Sequence, residues 1–211
     1  MRRTPGILAL LILCGLALGA CVPRPTVSSA PRSATSKVTS TTAGDANVKT
    51  IYLAGGCFWG LEKYVGLVQG VSSTEVGYAN GRSDNAKYGD GSGYAEVVKI
   101  EYDPAVAPLP FLLGLYYDAI DPTSVNRQGN DVGDEYRTGI YYTDPADEAV
   151  IRESIAELQK GYSAPIAIEV GPLVRYSAGE DYHQDYLDKN PNGYCHIPKK
   201  LFDAAKAARP E

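Results

Sequence analysis

The chain is poor in the residues that hold metals. It has two histidines and four cysteines in 211 residues, and no two cysteines stand as C-x-x-C. That supply excludes a structural zinc site. Long runs of Lys or Arg are absent too, and 20 basic against 25 acidic residues leave a net charge of −5, which argues against nucleic acid as a partner. There is no internal repeat, no G-x-G-x-x-G and no phosphate-binding loop, so no sequence signal points to a bound nucleotide. Methionine occurs once, as Met1, and tryptophan once, as Trp59. What remains is a chain 44% hydrophobic and 21% charged, neither disordered throughout nor polytopic. Its length fits one globular domain with additions.

The additions stand at the front. Arg2 and Arg3 precede an apolar run from Ile7 to Ala20 that is too short to span a bilayer as a stable helix and has the form of an export signal. It ends Leu18-Gly19-Ala20-Cys21, which resembles a bacterial lipobox, with Cys21 as the lipidated residue. The expectation is an exported lipoprotein, anchored on the periplasmic side or at the cell surface. Residues 22–48 are rich in Ser, Thr, Pro and Ala and lack aromatics, so they bury too little apolar surface to offset their ordering entropy and read as a tether. Residues 49–211 form the catalytic domain on this reading.

Within that domain, Thr50–Ala54 reads as a strand, and a helical pattern runs from Cys57 to a stop at Gly70. Val71–Tyr78 and Ala95–Tyr102 read as strands around a Gly/Asn/Asp/Ser-rich loop from Asn80 to Gly93. Pro108–Ala119 reads as a helix, Thr138–Thr143 as a strand, and Asp144-Pro145 as the start of a helix that ends by Gly161. Ile166, Ile168 and Val170 alternate as a strand, which Leu173–Tyr176 continues or pairs with, and Glu180–Lys189 reads as a helix. This order predicts an α+β two-layer sandwich with a mainly antiparallel, ferredoxin-like sheet, packed helices and an irregular C-terminal segment.

Of the four cysteines, Cys14 and Cys21 belong to the signal and the anchor, leaving Cys57 and Cys195. In an exported protein the ordinary reading of two cysteines is a structural disulfide. Their positions favour chemistry. Cys57 follows Gly55-Gly56 at a helix start, where free N–H groups and the helix dipole favour a thiolate, so a lowered pKa is expected. Phe58 and Trp59 follow it, and three successive helical residues point about 100° apart, so at least one ring shares the mouth with the sulfur. Glu96 alternates with Val98, Ile100 and Tyr102 on one strand face, and a carboxyl so shielded keeps its proton above the usual range. Cys195 follows Asn190-Pro191-Asn192-Gly193, a stretch that reads as a mobile loop.

Gly56-Cys57-Phe58-Trp59-Gly60 resembles the signature of the A-type peptide methionine sulfoxide reductases. Gly77-Tyr78-Ala79-Asn80-Gly81 and Gly93-Tyr94-Ala95-Glu96-Val97-Val98 are similar to that family's tyrosine and glutamate segments. Arg127 to Gly133 with Tyr136-Arg137, Glu180 to Gln184, and Asn190 to Cys195 resemble its later segments in order, from Ile51 to Ile197. The resemblance implies reduction of S-configured methionine sulfoxide, free or in proteins. It makes Cys57 the nucleophile, with Phe58 and Trp59 the pocket for the S-methyl group. It sets Tyr78, Glu96 and Tyr136 around the sulfoxide oxygen, makes Asp131 part of their network, and makes Cys195 the resolving thiol. Attack would leave a sulfenic acid on Cys57, which condenses with Cys195 to a disulfide. The implied partners are oxidised proteins or peptides, a thioredoxin-like reductant and a membrane; the protein is expected to be a monomer that requires no metal, flavin or nicotinamide.

The chain departs from the family pattern at Tyr94, where His is usual, at Asn80, where Gly is usual, at Asp134-Glu135 and in a short loop before Gly93. Two rival readings are weaker. A Cys-His hydrolase needs a histidine poised on Cys57 and leaves Glu96, Tyr78 and Cys195 without roles. A non-catalytic domain stapled by a Cys57–Cys195 disulfide ignores the positions of both. His183 and His196 read as packing or surface histidines.

Overall fold

The computed structural model describes residues 48–210. The signal sequence with Cys21, and the tether up to residue 47, lie outside them. In chain order the elements are β1 (Lys49–Gly55), α1 (Phe58–Gly66), β2 (Val71–Ala79), β3 (Ala95–Tyr102), α2 (Leu109–Asp118), β4 (Arg127–Gln128), β5 (Asp131–Val132), a 3₁₀ turn (Asp134–Tyr136), β6 (Thr138–Tyr142), α3 (Asp147–Gln159), β7 (Glu169–Pro172), β8 (Tyr176–Ala178), α4 (Tyr186–Lys189) and α5 (Lys199–Ala207). Six strands form one sheet in the order β7-β6-β1-β3-β2-β8, and β4 pairs with β5 separately. Every pairing is antiparallel except that of β6 with β7. The α+β expectation holds, and its inner strands β6-β1-β3-β2 follow the ferredoxin-like order.

The sheet is apolar on both faces because its central strands alternate in two registers. Ile51 and Leu53 of β1, Val98, Ile100 and Tyr102 of β3, and Ile140 and Tyr142 of β6 enter the main core. There they meet Leu61, Tyr64 and Val65 of α1, Leu112, Leu113 and Tyr116 of α2, and Ile151 of α3. Burying a Leu or Ile side chain contributes about 1.5–3 kcal/mol, so this layer fixes which face of each strand points to the helices. Tyr52, Ala54, Ala79, Ala95, Val97 and Tyr141 form a thinner core on the other face, under Leu173 and Tyr176. By the same alternation Glu96 lies on the main-core side of β3.

Several boundaries differ from expectation. Helix α1 begins at Phe58 with Cys57 as its N-cap, and it ends at Gly66, short of Gly70. Asp144 is not the N-cap of α3: that position is Ala146, and α3 runs from Asp147, while the Asp144 carboxylate accepts the Ala146 N–H at 2.9 Å in the turn that leads in. The strand after Leu173 does not pair with β7; β8 crosses to the far edge and pairs with β2. Glu180–Lys189 is helical only from Tyr186, because Asp185 takes a left-handed conformation at φ 51°. The Gln184 side-chain amide ties this turn to β2, accepting from Val76 N–H at 2.9 Å and donating to Val76 C=O at 3.0 Å. Helix α5 was not expected, although Leu201, Phe202 and Ala205 face the core at helical spacing.

The departures at Asn80 and Tyr94 have a structural account. Asn80 sits at φ 52°, a conformation that glycine adopts freely and asparagine tolerates. Its side-chain oxygen accepts the N–H groups of Val174 at 2.8 Å and Arg175 at 3.2 Å, so it ties the β7–β8 connection to β2. Tyr94 is buried against Tyr78, with ring centres 4.5 Å apart, and its hydroxyl accepts the Gly89 N–H at 2.8 Å. It thereby closes the short loop before Gly93.

Asn80→Ala should lower stability by about 1–2 kcal/mol, since alanine carries the left-handed penalty and drops the three side-chain bonds, including that from the Asn80 Nδ2–H to Pro172 C=O. Asn80→Gly should lose less. Chemical denaturation of both variants checks this; equal losses would assign the conformation no part.

Candidate active site

The site grows from the end of β1. Gly56 turns the chain at φ 79°, and a Cβ there would stand 2.6 Å from Gln128 Cβ. Only glycine satisfies both demands. The buried Gln128 is itself fixed by exchanging bonds of 2.8 Å with the Asp121 backbone. The turn delivers Cys57 to the N-cap of α1, 7% exposed and free of any disulfide.

Directly after it, the Phe58 N–H donates to Glu96 Oε2 at 3.1 Å. Glu96 is 2% exposed. The start of α1 therefore meets a carboxyl delivered by β3, and strand register sets Tyr78 of β2 opposite that carboxyl. The Tyr78 hydroxyl donates to Glu180 Oε2 at 2.6 Å. Phe58 is buried 5.8 Å from the Tyr78 ring and 5.1 Å from that of His183. Trp59 is half-buried; its Nε1–H donates to His183 Nδ1 at 3.0 Å, and its ring stacks on Tyr186 at 3.7 Å.

The second thiol comes from the C-terminal loop. Cys195 Sγ lies so close to Gly60 that a Cβ there would stand 2.8 Å from the sulfur. Gly60 is one helical turn beyond Cys57, so the two sulfurs share one end of α1. The Cys195 thiol donates to Ile197 C=O at 3.4 Å. Its loop is tied to the β4–β5 hairpin, where Asp131 accepts from the Tyr194 hydroxyl at 3.0 Å, with His196 Nδ1 at 3.9 Å. Tyr136, on the 3₁₀ turn, is partly buried.

Burial dominates the electrostatics. It pushes Glu96 up to about 8, with Asp131 and Glu135 adding to the shift and the Phe58 N–H opposing it. At neutral pH this carboxyl holds a proton. Burial also raises the Cys57 thiol, followed by the charges of Glu96, Asp131 and Cys195, and against the Trp59 N–H. This corrects the expectation of a lowered thiol: at this helix start desolvation outweighs the N–H groups and dipole. Burial likewise raises Tyr136, with Glu96 and Cys57 among the charges that add to it, and raises Cys195. It raises Tyr78 too, together with the Glu180 bond.

Cys57, Phe58, Glu96 and Tyr78 thus meet around the start of α1, Asp131 acts on the same sulfur and carboxyl by its charge, Tyr136 feels the charges of both, and Cys195 docks beside them. Glu180 and Gln128 stand in segments that resemble the family's but carry no role there, and the sequence marks neither Tyr186 nor the bond of His183 to Trp59, except that a lone Trp needs an acceptor for its N–H when buried. Among the described residues no group of His, Cys, Asp and Glu is placed to hold a metal ion.

A sulfur nucleophile, a carboxylic acid that keeps its proton at neutral pH and a second free thiol docked nearby are the equipment of a thiol-dependent oxidoreductase. Comparison with known proteins narrows that class. The sequence model of the peptide methionine sulfoxide reductase family matches residues 49–209. Peptide methionine sulfoxide reductase MsrA of Lachnoclostridium phytofermentans is 57% identical over 164 residues, covering 76% of this chain and 99% of that protein. The reduced form of Mxr1 from Saccharomyces cerevisiae superposes with a TM-score of 0.69 at 34% identity, over 74% of this chain and 93% of that one. Mxr1 in complex with Trx2 superposes with a TM-score of 0.50 at 25% identity, over 70% of this chain and 91% of that one. The chain belongs to the peptide methionine sulfoxide reductase family, in its A-type branch, and is a methionine sulfoxide reductase.

A carboxyl raised from its unfolded value near 4.5 to about 8 binds more protons in the folded state between those limits. Stability must therefore fall as pH rises through that window, by up to about 1.4 kcal/mol per pH unit from this group alone. Glu96→Gln removes the term, so its stability relative to the parent should grow from pH 5 to 8 and level off above. Thermal or urea unfolding across that range checks this; a constant difference would show that Glu96 ionises normally.

Proposed function

We propose that Cys57 attacks the sulfur of S-configured methionine sulfoxide, free or in oxidised proteins, while Glu96 protonates the departing oxygen. The observation that carries this is the Phe58 N–H bond to Glu96 Oε2, which ties a protonated acid to the turn that presents the nucleophile. Oxygen passes from the substrate sulfur to Cys57. The substrate is reduced by two electrons to the thioether, and Cys57 is oxidised by two to the sulfenic acid. Glu96 gives its proton to the oxygen and receives the one the thiol releases, so a neutral thiol beside a neutral acid is a competent resting pair. Tyr78 and Tyr136 supply hydroxyls around that oxygen. Asp131 anchors the loop of Cys195, and Phe58 and Trp59 form the apolar walls for the S-methyl group.

Cys195 then condenses with the sulfenic acid, forming a Cys57–Cys195 disulfide and releasing water. A dithiol reductant regenerates both thiols by exchange. The complex of Mxr1 with Trx2 supports a thioredoxin-like protein in that role. We also propose that the chain is exported and held at a membrane by lipid on Cys21, through residues 22–48, as a monomer repairing oxidised proteins there. The lipobox-like Leu18-Gly19-Ala20-Cys21 supports this.

A single-turnover yield for each cysteine variant tests the roles, with mass detection of the oxidised residue. Cys57→Ser should make no product, because a hydroxyl is far too weak a nucleophile to replace the sulfur. Cys195→Ser should make about one equivalent per enzyme, leave sulfenic acid on Cys57 and fail to cycle with a dithiol protein. Product from Cys57→Ser but none from Cys195→Ser would reverse the assignment.

The anchor has its own test. Cys21→Ala should stall processing or free the protein from the membrane fraction. Recovery of a correctly processed variant in that fraction would remove the lipid from the account.

A further inference from the structure

Glu62 takes no part in the chemistry above, yet it is a carboxyl only 4% exposed. Its Oε2 accepts the backbone N–H of Asp185 at 2.9 Å, and its Oε1 is buried without a partner. Leaving a buried polar atom unsatisfied is costly, so the side chain is held here by what its other oxygen secures. Glu62 stands three residues after Trp59 on α1, and residues so spaced share one side of a helix.

What it secures is the backbone at Asp185, bent to φ 51° and ψ 33°. A left-handed residue with a side chain costs about 1 kcal/mol and needs a bond to keep it there. The residues around this bend hold the only tryptophan. Tyr186, the next residue, lies stacked on the Trp59 ring at 3.7 Å and 14° between planes. His183, two residues before, accepts the Trp59 indole N–H at 3.0 Å. One carboxyl on α1 thus pins the backbone between the two side chains that grip the indole by its face and by its edge.

We propose that Glu62 is a positioning residue for substrate binding, which orients Trp59 as a wall of the methyl pocket by bonding the Asp185 N–H and so holding His183 and Tyr186 against it. This rests on the reading of Trp59 as a pocket wall. Burial, with the charges of Asp185 and Asp188, pushes the Glu62 carboxyl up to about 7, while the Asp185 N–H and Lys189 act the other way. Its uncharged form is therefore well populated near neutrality, and glutamine, which keeps an acceptor oxygen in the same place, is a close mimic.

The test compares Glu62→Gln, Glu62→Ala and Tyr186→Leu in the full chain, with a methionine sulfoxide peptide as substrate. Trp59 is the sole tryptophan, so emission excited beyond the tyrosine absorption band reports on it alone. Glu62→Ala and Tyr186→Leu should each raise KM by about fivefold or more while kcat and the single-turnover yield stay within about twofold, the pattern of lost binding without lost chemistry. Both should shift Trp59 emission and open it to a soluble quencher. Glu62→Gln should match the parent in every readout. Should Glu62→Ala not fold, Tyr186→Leu and Glu62→Gln still decide. Unchanged KM and emission in Tyr186→Leu, or Glu62→Gln as impaired in KM and emission as loss of the indole, would overturn the proposal. Trp59→Leu separates the two levels: an unchanged KM there would sink the pocket reading and this inference together. A raised KM there, with Glu62 and Tyr186 variants unaffected, would sink this inference alone.

Discussion

The bond from the Phe58 N–H to Glu96 is the contact on which the catalytic arrangement depends. It joins the first turn of α1 to β3, and each side of it is built from far away in the sequence. On one side stands a glycine turn that only fits against Gln128. On the other stands a strand buried on both faces, whose alternation sets a carboxyl where its neighbours on the same face are Val98 and Ile100. Neither half would be worth much alone. A helix start without the acid would leave an ordinary buried thiol, and the acid without the N–H would have no fixed aim.

That juxtaposition also explains why desolvation governs the thiol. A helix N-terminus lowers a thiol most when it faces water, because there its N–H groups act without a large burial term. Here one of those N–H groups is taken by Glu96, and Cys57 is nearly covered. The pair rests uncharged. On the proposed mechanism its reactivity depends on an exchange of protons with the incoming sulfoxide and much less on a standing thiolate.

Much of this was legible in the sequence, for particular reasons. The alternation of Glu96 with Val98 and Ile100 gave both the strand and the burial of the acid. The Gly55-Gly56-Cys57 run gave the turn, and the order of strands and helices gave the α+β class with its central strands. The thiol's shift is not legible there, because dipole and desolvation oppose each other and only packing decides their balance. Helix extents are not legible where the backbone departs locally, as at Asp185, whose left-handed conformation delays the helix to Tyr186. The strand Tyr176–Ala178 went to the far edge of the sheet for a similar reason, since pairing partners across a hundred residues leave no local trace. Helix α5 carries a pattern at helical spacing in Leu201, Phe202 and Ala205, behind the Asn-Pro-Asn-Gly loop.

The seat of Cys195 on Gly60 has a consequence for the lifetime of oxidised intermediates. A thiol already parked on the nucleophile's own helix has a high effective concentration toward it, set by a short displacement and not by a search of the whole loop. A sulfenic acid formed on Cys57 would be captured quickly, before peroxide could drive it to the irreversible sulfinic acid. The missing side chain at position 60 therefore also bears on how long such an enzyme survives in the oxidising surroundings where its substrates arise.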